Sequence, residues 1–149
     1  MAEGSRSRGA ANGESESALH GAAWAGEVDL IASLVAKEAD PNWQDSIGET
    51  ALHGAAAWGQ VDAVRYLVSV GARTDIAVQS GLTPLHWAAS HGNAETVRIL
   101  VAAGADCNAT DARGRRPVDL ARRYRNAETA EVLGFVDNER PTNVDPRCS

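Results

Sequence analysis

Three histidines, His20, His53 and His86, recur every 33 residues inside similar apolar stretches, and imidazole nitrogen is a common zinc ligand. Packed helices lie about 8–10 Å apart, however, whereas zinc–nitrogen bonds measure about 2.0–2.1 Å. One histidine per repeat therefore cannot converge on a single ion, and no cysteine or carboxylate recurs beside them at ligand spacing. We expect a structural role, no metal or cofactor, and a loss of stability in His53→Ala.

Patterns that support catalysis are missing from the sequence. It contains no glycine-rich phosphate loop, no nucleophile-elbow motif and no CxxC pair. Cys107 lies directly before Asn108 with no histidine or second cysteine beside it, and we expect a buried, unreactive thiol. We therefore expect a protein that is not an enzyme and has no catalytic residue.

The bulk composition narrows the classes of partner. The 149 residues carry a formal charge of −6, which argues against general affinity for nucleic acid or an anionic membrane. No apolar run approaches the roughly 20 residues that span a bilayer, and the N-terminal stretch lacks a signal-peptide core. Two cysteines make no disulfide framework. These features predict a monomeric cytoplasmic protein, with a nuclear location as the alternative.

The elements that carry the histidines form a 33-residue repeat. SALHGAAWAG, TALHGAAAWG and TPLHWAASHG begin at Ser17, Thr50 and Thr83, and RPVDLARRYR is a degenerate fourth copy with Asp119 at the histidine position. The columns in register are Leu19, Leu52, Leu85 and Val118; Ala22, Ala55, Ala88 and Ala121; Leu34, Leu67, Leu100 and Leu133. A repeat of this length predicts stacked helical units, each of which buries an apolar face against the next.

Within one copy, the local signals predict two helices and a turn. Thr83 can cap the first helix, and Pro84 suits its first turn. Gly92 can adopt the left-handed backbone conformation that ends the helix. In the fourth copy Arg125 replaces that glycine, and we expect Asn126 to supply the left-handed residue. Domain boundaries follow: a disordered tail at 1–14, a repeat domain at 15–135 (repeats about 15–45, 46–78, 79–111 and 112–135) and a polar tail at 136–149.

The period, TPLHWAA, the glycines between helices and GADCNA together resemble ankyrin repeats. The resemblance implies an all-α solenoid with projecting hairpin loops and a concave face that binds another protein. It also implies that each histidine hydrogen-bonds threonine and nearby backbone, and that Asn42 and Asn108 are positions of possible hydroxylation, with a structural turn role as the alternative. Some four-repeat relatives inhibit kinases and share PVDLA, but their second repeat has a shortened first helix, whereas TALHGAAAWG looks intact.

One register position varies between aromatic residues while the framework stays constant. Trp58, His91 and Tyr124 occupy it in successive copies, and Trp24 lies one step earlier in the first copy. We expect this column to lie on the concave face and anchor a partner, although the rings can instead cover neighbouring loops. Trp87 falls in a glycine column and is predicted to fill the core. The exposure of Trp43 is left open.

Further partner-binding residues are expected at the loop tips and on the last helices. They are Gln44, Ser46, Ile47, Glu49, Gln79, Ser80, Leu82, Ser90, Arg113, Arg115 and Arg123. Six arginines lie between Arg113 and Arg125, which predicts either a solvated end cap or a basic surface for an acidic segment of the partner. The rival hypothesis is an anionic ligand, nucleic acid or phosphoinositide, held by the same cluster.

Overall fold

The computed structural model describes residues 14–139, with side chains to residue 134, and contains eight helices in this range. In chain order they are α1 Glu14–Ala25, α2 Val28–Ala36, α3 Ala51–Ala57, α4 Val61–Ser69, α5 Pro84–His91, α6 Ala94–Ala102, α7 Pro117–Arg123 and α8 Ala127–Glu139. Glu14 and residues 136–139 are thus helical rather than parts of tails. The rest of both predicted tails lies outside the described residues.

The best-formed helix start follows the signals in the sequence. At α5, Thr83 has extended backbone angles, its hydroxyl accepts a hydrogen bond from the His86 amide, and Pro84 occupies the first turn. Gly92 closes the helix with φ of +76°, as predicted. The helix boundaries of this repeat are therefore encoded locally.

In the fourth copy, the turn between the two helices differs from the prediction. Arg125 itself adopts the left-handed conformation, with φ of +61°, and Asn126 does not. The Asn126 side chain is used elsewhere, because its amide donates to the carbonyl oxygens of Ala89 and Ser90. An inter-repeat bond therefore fixes the asparagine, and the arginine bears the backbone strain.

The helices stack in two layers. The first helices of the repeats, α1, α3, α5 and α7, pack against one another in order, and α2, α4, α6 and α8 form a second layer behind them. Leu19, Leu52, Leu85 and Val118 are all at most 3% exposed, as are Leu67, Leu100 and Leu133. Fully buried alanines between them let the helices approach closely. Leu34, in the first repeat, is half-buried against this cluster, and the other residues of the two leucine columns lie in the core of the solenoid.

The segments before α3, α5 and α7 form hairpin loops. Asp45 N donates to Glu49 O, and the equivalent bond runs from Asp111 to Arg115. Neighbouring loops are joined by backbone bonds of 2.9 Å from Gln79 N to Ile47 O and from Ala112 N to Ser80 O. The loops therefore form a continuous edge beside the first-helix layer. Within residues 14–139, no helix is both long enough and apolar enough to cross a bilayer.

Candidate functional site

The two central histidines, His53 and His86, are buried and form hydrogen bonds with backbone groups. Thr50 N donates to His53 Nδ1 at 3.1 Å, and His53 Nε2 lies 3.0 Å from Leu82 O in the next loop. His86 repeats the arrangement with Thr83 N and Arg115 O. Because Nδ1 accepts, the tautomer that satisfies both bonds carries its proton on Nε2. This arrangement agrees with the structural role predicted for these residues.

Burial controls the charge of both imidazoles. It lowers the pKa of His53 to about 4 and also lowers the pKa of His86, so both rings are neutral at pH 7.

In the fourth copy Asp119 replaces the histidine, and its Oδ2 accepts a hydrogen bond from the Arg116 amide at 2.8 Å. Over the described part of the chain, no three histidine, cysteine or acidic side chains come together as a metal site.

A cavity of about 420 Å³ opens between the first-helix layer and the loops. Its aromatic lining comes from all four repeats: Trp24, Trp58, Trp87, His91 and Tyr124. The rest of the lining is Glu49, Ala57, Leu82, Ser90, Arg115 and Leu120. We call this the aromatic cavity. It brings together eight of the predicted partner-binding residues, because their register positions all face the same side of the stack.

Three aromatic side chains at the rim are well exposed. Trp58 is 61% exposed, Tyr124 54% and Trp24 44%. The Trp24 and Trp58 rings lie 6.1 Å apart between centroids at an interplanar angle of 47°. Leu30 and Ile47 are the other exposed large apolar side chains between residues 14 and 134, and the rest are buried or half-buried, so this cluster is a distinct surface feature.

Trp24 is positioned by two neighbours in the second repeat. Its Nε1 donates to Glu49 Oε2 at 2.9 Å, and its indole lies against Gly54, where a Cβ atom would overlap the ring. Glu49 was expected at an exposed loop tip, but it is only 5% exposed. The loop turns its side chain inward beneath Trp24, and this burial raises the pKa of its carboxyl group.

Trp87 is not a core residue, contrary to the prediction. It is half-buried, lines the aromatic cavity and packs edge-on against His53 with centroids 5.2 Å apart. Its carbonyl oxygen lies 3.0 Å from Ser90 Oγ and 2.9 Å from His91 Nδ1, which fixes both of those side chains at the wall. The glycine column misled the prediction because Trp24, from the preceding repeat, fills the space over Gly54.

The arginines between residues 113 and 125 are not equivalent. Arg115 is 2.7 Å from Asp111 Oδ2, and this carboxylate is 1% exposed. The positive charge of Arg115 is therefore largely compensated by Asp111. The guanidinium of Arg123 lies 6.0 Å from the centroid of the Tyr124 ring. Arg113, Arg122, Arg123 and Arg125 are exposed. Within this cluster, the exposed positive charge therefore lies at the end of the stack and outside the cavity.

The remaining loop-tip residues contact one another and not the cavity. Gln44, Ser46, Ile47, Gln79 and Ser80 are exposed. Gln79 Nε2 donates to Ser46 O at 2.9 Å, and Gln44 Nε2 donates to Gly48 O at 3.0 Å. These polar groups stabilise the loop edge, and partner binding by them stays a prediction.

Three open sequence questions have structural answers. Trp43 is half-buried, with its ring 5.2 Å from that of His20. The Asn42 amide bridges Gly71 O and Arg73 N at 3.1 and 2.8 Å, which is a turn-stabilising role. Cys107 is buried, as expected, but it is disulfide-bonded, so the expectation of an unreactive thiol was wrong. Cys148 lies outside the described residues.

A ladder of amide side chains escaped the sequence reasoning. Gln60 Nε2 donates to Trp24 O at 2.8 Å, Asn93 Nδ2 to Ala56 O at 2.9 Å, and Asn126 Nδ2 to Ala89 O at 2.8 Å. These amides are 33 residues apart, so a search for polar columns would have found them. Each ties the end of a first helix to the following repeat, which holds the aromatic rim in place.

Comparison with known families agrees with this architecture. A family model described as ankyrin repeats (3 copies) matches residues 6–77, and one described as ankyrin repeat matches residues 80–112. A search of curated proteins found no match. Helices α7 and α8 continue the stacking beyond the matched ranges. The chain belongs to the ankyrin repeat family, whose members are generally modules for protein–protein interaction.

Proposed function

We propose that the chain works as a non-catalytic interaction module that binds a segment of another protein in the aromatic cavity. The observation that carries this proposal is the exposed rim of Trp24, Trp58 and Tyr124 around a preformed cavity. Aromatic side chains of this kind bury much area at a small cost in conformational entropy, and they dominate interface energetics. A solenoid that is already ordered adds little further ordering cost on binding.

The size of the cavity agrees with a short segment as the ligand. A volume of about 420 Å³ is within the range of about 300–1,000 Å³ typical of small binding sites, which suits a few side chains of an extended segment or a loop. The loop edge beside it would contact flanking residues of the partner. An acidic stretch of the partner would lie against the exposed arginines at the end of the stack, among them Arg113 and Arg123.

The test is affinity capture from a cell lysate, read by quantitative mass spectrometry. Trp58→Ala and Tyr124→Ala should each lose a common set of proteins. Leu30→Ala is the matched control, because Leu30 is 42% exposed but lies on α2 in the second layer. Thermal melts establish that all three variants are folded. If the captured set is unchanged by both aromatic substitutions, or is lost with Leu30→Ala instead, the binding surface is not the aromatic cavity.

The arginine cluster supports a second candidate, an anionic ligand such as a phosphoinositide or nucleic acid. The exposure of Arg113, Arg122, Arg123 and Arg125 favours it, and the pairing of Arg115 with Asp111 weakens it. Steep salt dependence with little selectivity would distinguish this mode from segment binding. The kinase-inhibitor hypothesis gains little support from the fold, because α3 spans seven residues, as many as α7 and one fewer than α5, and is not markedly shortened.

A further inference from the structure

The aromatic cavity combines ring faces with a buried carboxylate. The Trp24 and Trp58 side chains line the cavity and are partly exposed, and Glu49 Oε2 lies 2.9 Å from the Trp24 indole nitrogen. Glu49 is 5% exposed as a residue and makes no ion pair within the described residues. An anionic group withdrawn from water in this way is costly unless a positive charge compensates it.

The other charged groups nearby do not supply that compensation. Arg115 also lines the cavity, but it is paired with the buried carboxylate of Asp111. Asp45 adds a second negative charge near Glu49, and His20 is shared between these two carboxylates, 3.8 Å from Asp45, so one imidazole faces two acidic groups. His91 is held at the wall by Ser90 and the Trp87 carbonyl. The Trp24 end of the cavity therefore favours a cation.

We propose that this end of the aromatic cavity binds a cationic side chain of the partner, an ammonium or guanidinium group that lies against the exposed surfaces of Trp24 and Trp58 and pairs with Glu49. Indole faces attract cations through their quadrupole, most strongly where water is excluded, and the carboxylate adds direct charge pairing. The inference rests on the proposed function and specifies its chemistry: the partner segment carries a lysine or arginine at this position.

The test uses short capped peptides, Gly-Ala-X-Ala-Gly, in which X is lysine, arginine, norleucine or glutamate. Norleucine has nearly the shape of lysine without its charge. Binding to the full chain is followed through the indole ¹⁵N–¹H signals of Trp24, Trp58 and Trp87, with Trp43 as an internal reference outside the cavity lining. We expect the lysine and arginine peptides to bind at least about tenfold more tightly than the norleucine peptide.

Two substitutions separate charge from shape. Glu49→Gln keeps an oxygen that can accept from Trp24 Nε1, and it should reduce the preference for lysine over norleucine to about twofold. Trp58→Leu keeps an apolar wall without the indole and should weaken lysine binding while leaving norleucine binding nearly unchanged. Thermal melts of both variants establish that the fold is intact.

The outcomes distinguish this inference from the proposed function. Equal binding of the lysine and norleucine peptides, or an unchanged lysine preference in Glu49→Gln, would overturn the cation site but leave an apolar segment as the occupant of the cavity. A preference for the glutamate peptide, or no shift of the three cavity indoles with any peptide, would overturn it as well. The proposed function itself fails only on the capture experiment with Trp58→Ala and Tyr124→Ala.

Discussion

Acid should destabilise the fold through His53 well before the carboxylates take effect. The ring is fully buried, and burial lowers its pKa from 6.5 in the unfolded chain to about 4 in the folded chain. The unfolded chain therefore binds a proton that the folded chain does not, and stability falls as the pH drops from 6.5 toward 4. This difference corresponds to about 3 kcal/mol in full and to about 2.5 kcal/mol at pH 4.5.

Of the other titrating groups, Asp111 acts below this window, whereas Glu49 and His86 act within it. The Asp111 carboxyl is nearly buried, which by itself would raise its pKa, but hydrogen bonds from Arg115 and Arg113 hold the value at about 2. Its contribution is lost only below its ordinary pKa of 3.8. The raised pKa of Glu49 acts in the opposite direction and offsets a little of the loss. His86, whose pKa is also lowered, adds to the effect of His53.

Urea denaturation at pH 7.5 and pH 4.5 tests the prediction. The wild type should lose at least about 2 kcal/mol of unfolding free energy between the two conditions, a large part of the 5–15 kcal/mol typical of a domain. His53→Gln should be less stable at pH 7.5, since buried hydrogen bonds are lost, but its pH dependence should be smaller by roughly 2 kcal/mol. Identical pH dependence in the two proteins would refute the idea that burial keeps this ring neutral.

Three further predictions follow from individual contacts and are measured by urea denaturation. Asn93→Ala removes two hydrogen bonds to carbonyl groups of α3 and should cost about 1–3 kcal/mol; a change near zero would show that the amide ladder does not stabilise the stack. Arg125→Gly relieves a left-handed residue at φ of +61° and should stabilise by about 0.5–1 kcal/mol, and a loss of stability would contradict this. Asp111→Asn breaks a buried pair with Arg115 and should cost about 2 kcal/mol. The control Asp75→Asn breaks an exposed ion pair and should cost clearly less than Asp111→Asn, and equal losses would count against burial as the cause.

The fold could be predicted from the sequence because the repeat places each residue in a register. The position of His53 inside an apolar helical stretch predicted its burial, and the position of Trp58 before the inter-helix glycine predicted its exposure. Both properties depend mainly on which side of a helix a residue occupies, and the 33-residue period determines that side. Thr83 and Gly92 were readable for a similar reason, since capping depends on local backbone geometry.

The details of the site depend on contacts between repeats, which the register alone does not contain. Glu49 lies one residue before the helix cap, yet whether it points to solvent or inward depends on the Trp24 indole above it. The space over Gly54 is filled by the preceding repeat, so Trp87 is left at the cavity wall. The left-handed conformation of Arg125 likewise accompanies the hydrogen bonds by which its neighbour Asn126 is bound to the preceding repeat. Only a three-dimensional structure brings these residues together.

The histidine bonds give the stack a direction. His53 donates forward to the loop of the third repeat, and His86 donates forward to the loop of the fourth. Asp119, ionised at pH 7, has no proton to pass on, so the series ends there. If a further 33-residue copy were inserted between the second and third repeats, its loop carbonyl would accept from His53, and its own histidine would donate to the loop of the next repeat. A copy appended after the fourth would find no donor until Asp119 is replaced by histidine. Internal duplication of a repeat would therefore preserve the histidine-to-carbonyl hydrogen bonds, whereas the fourth repeat offers no histidine donor to a repeat added after it.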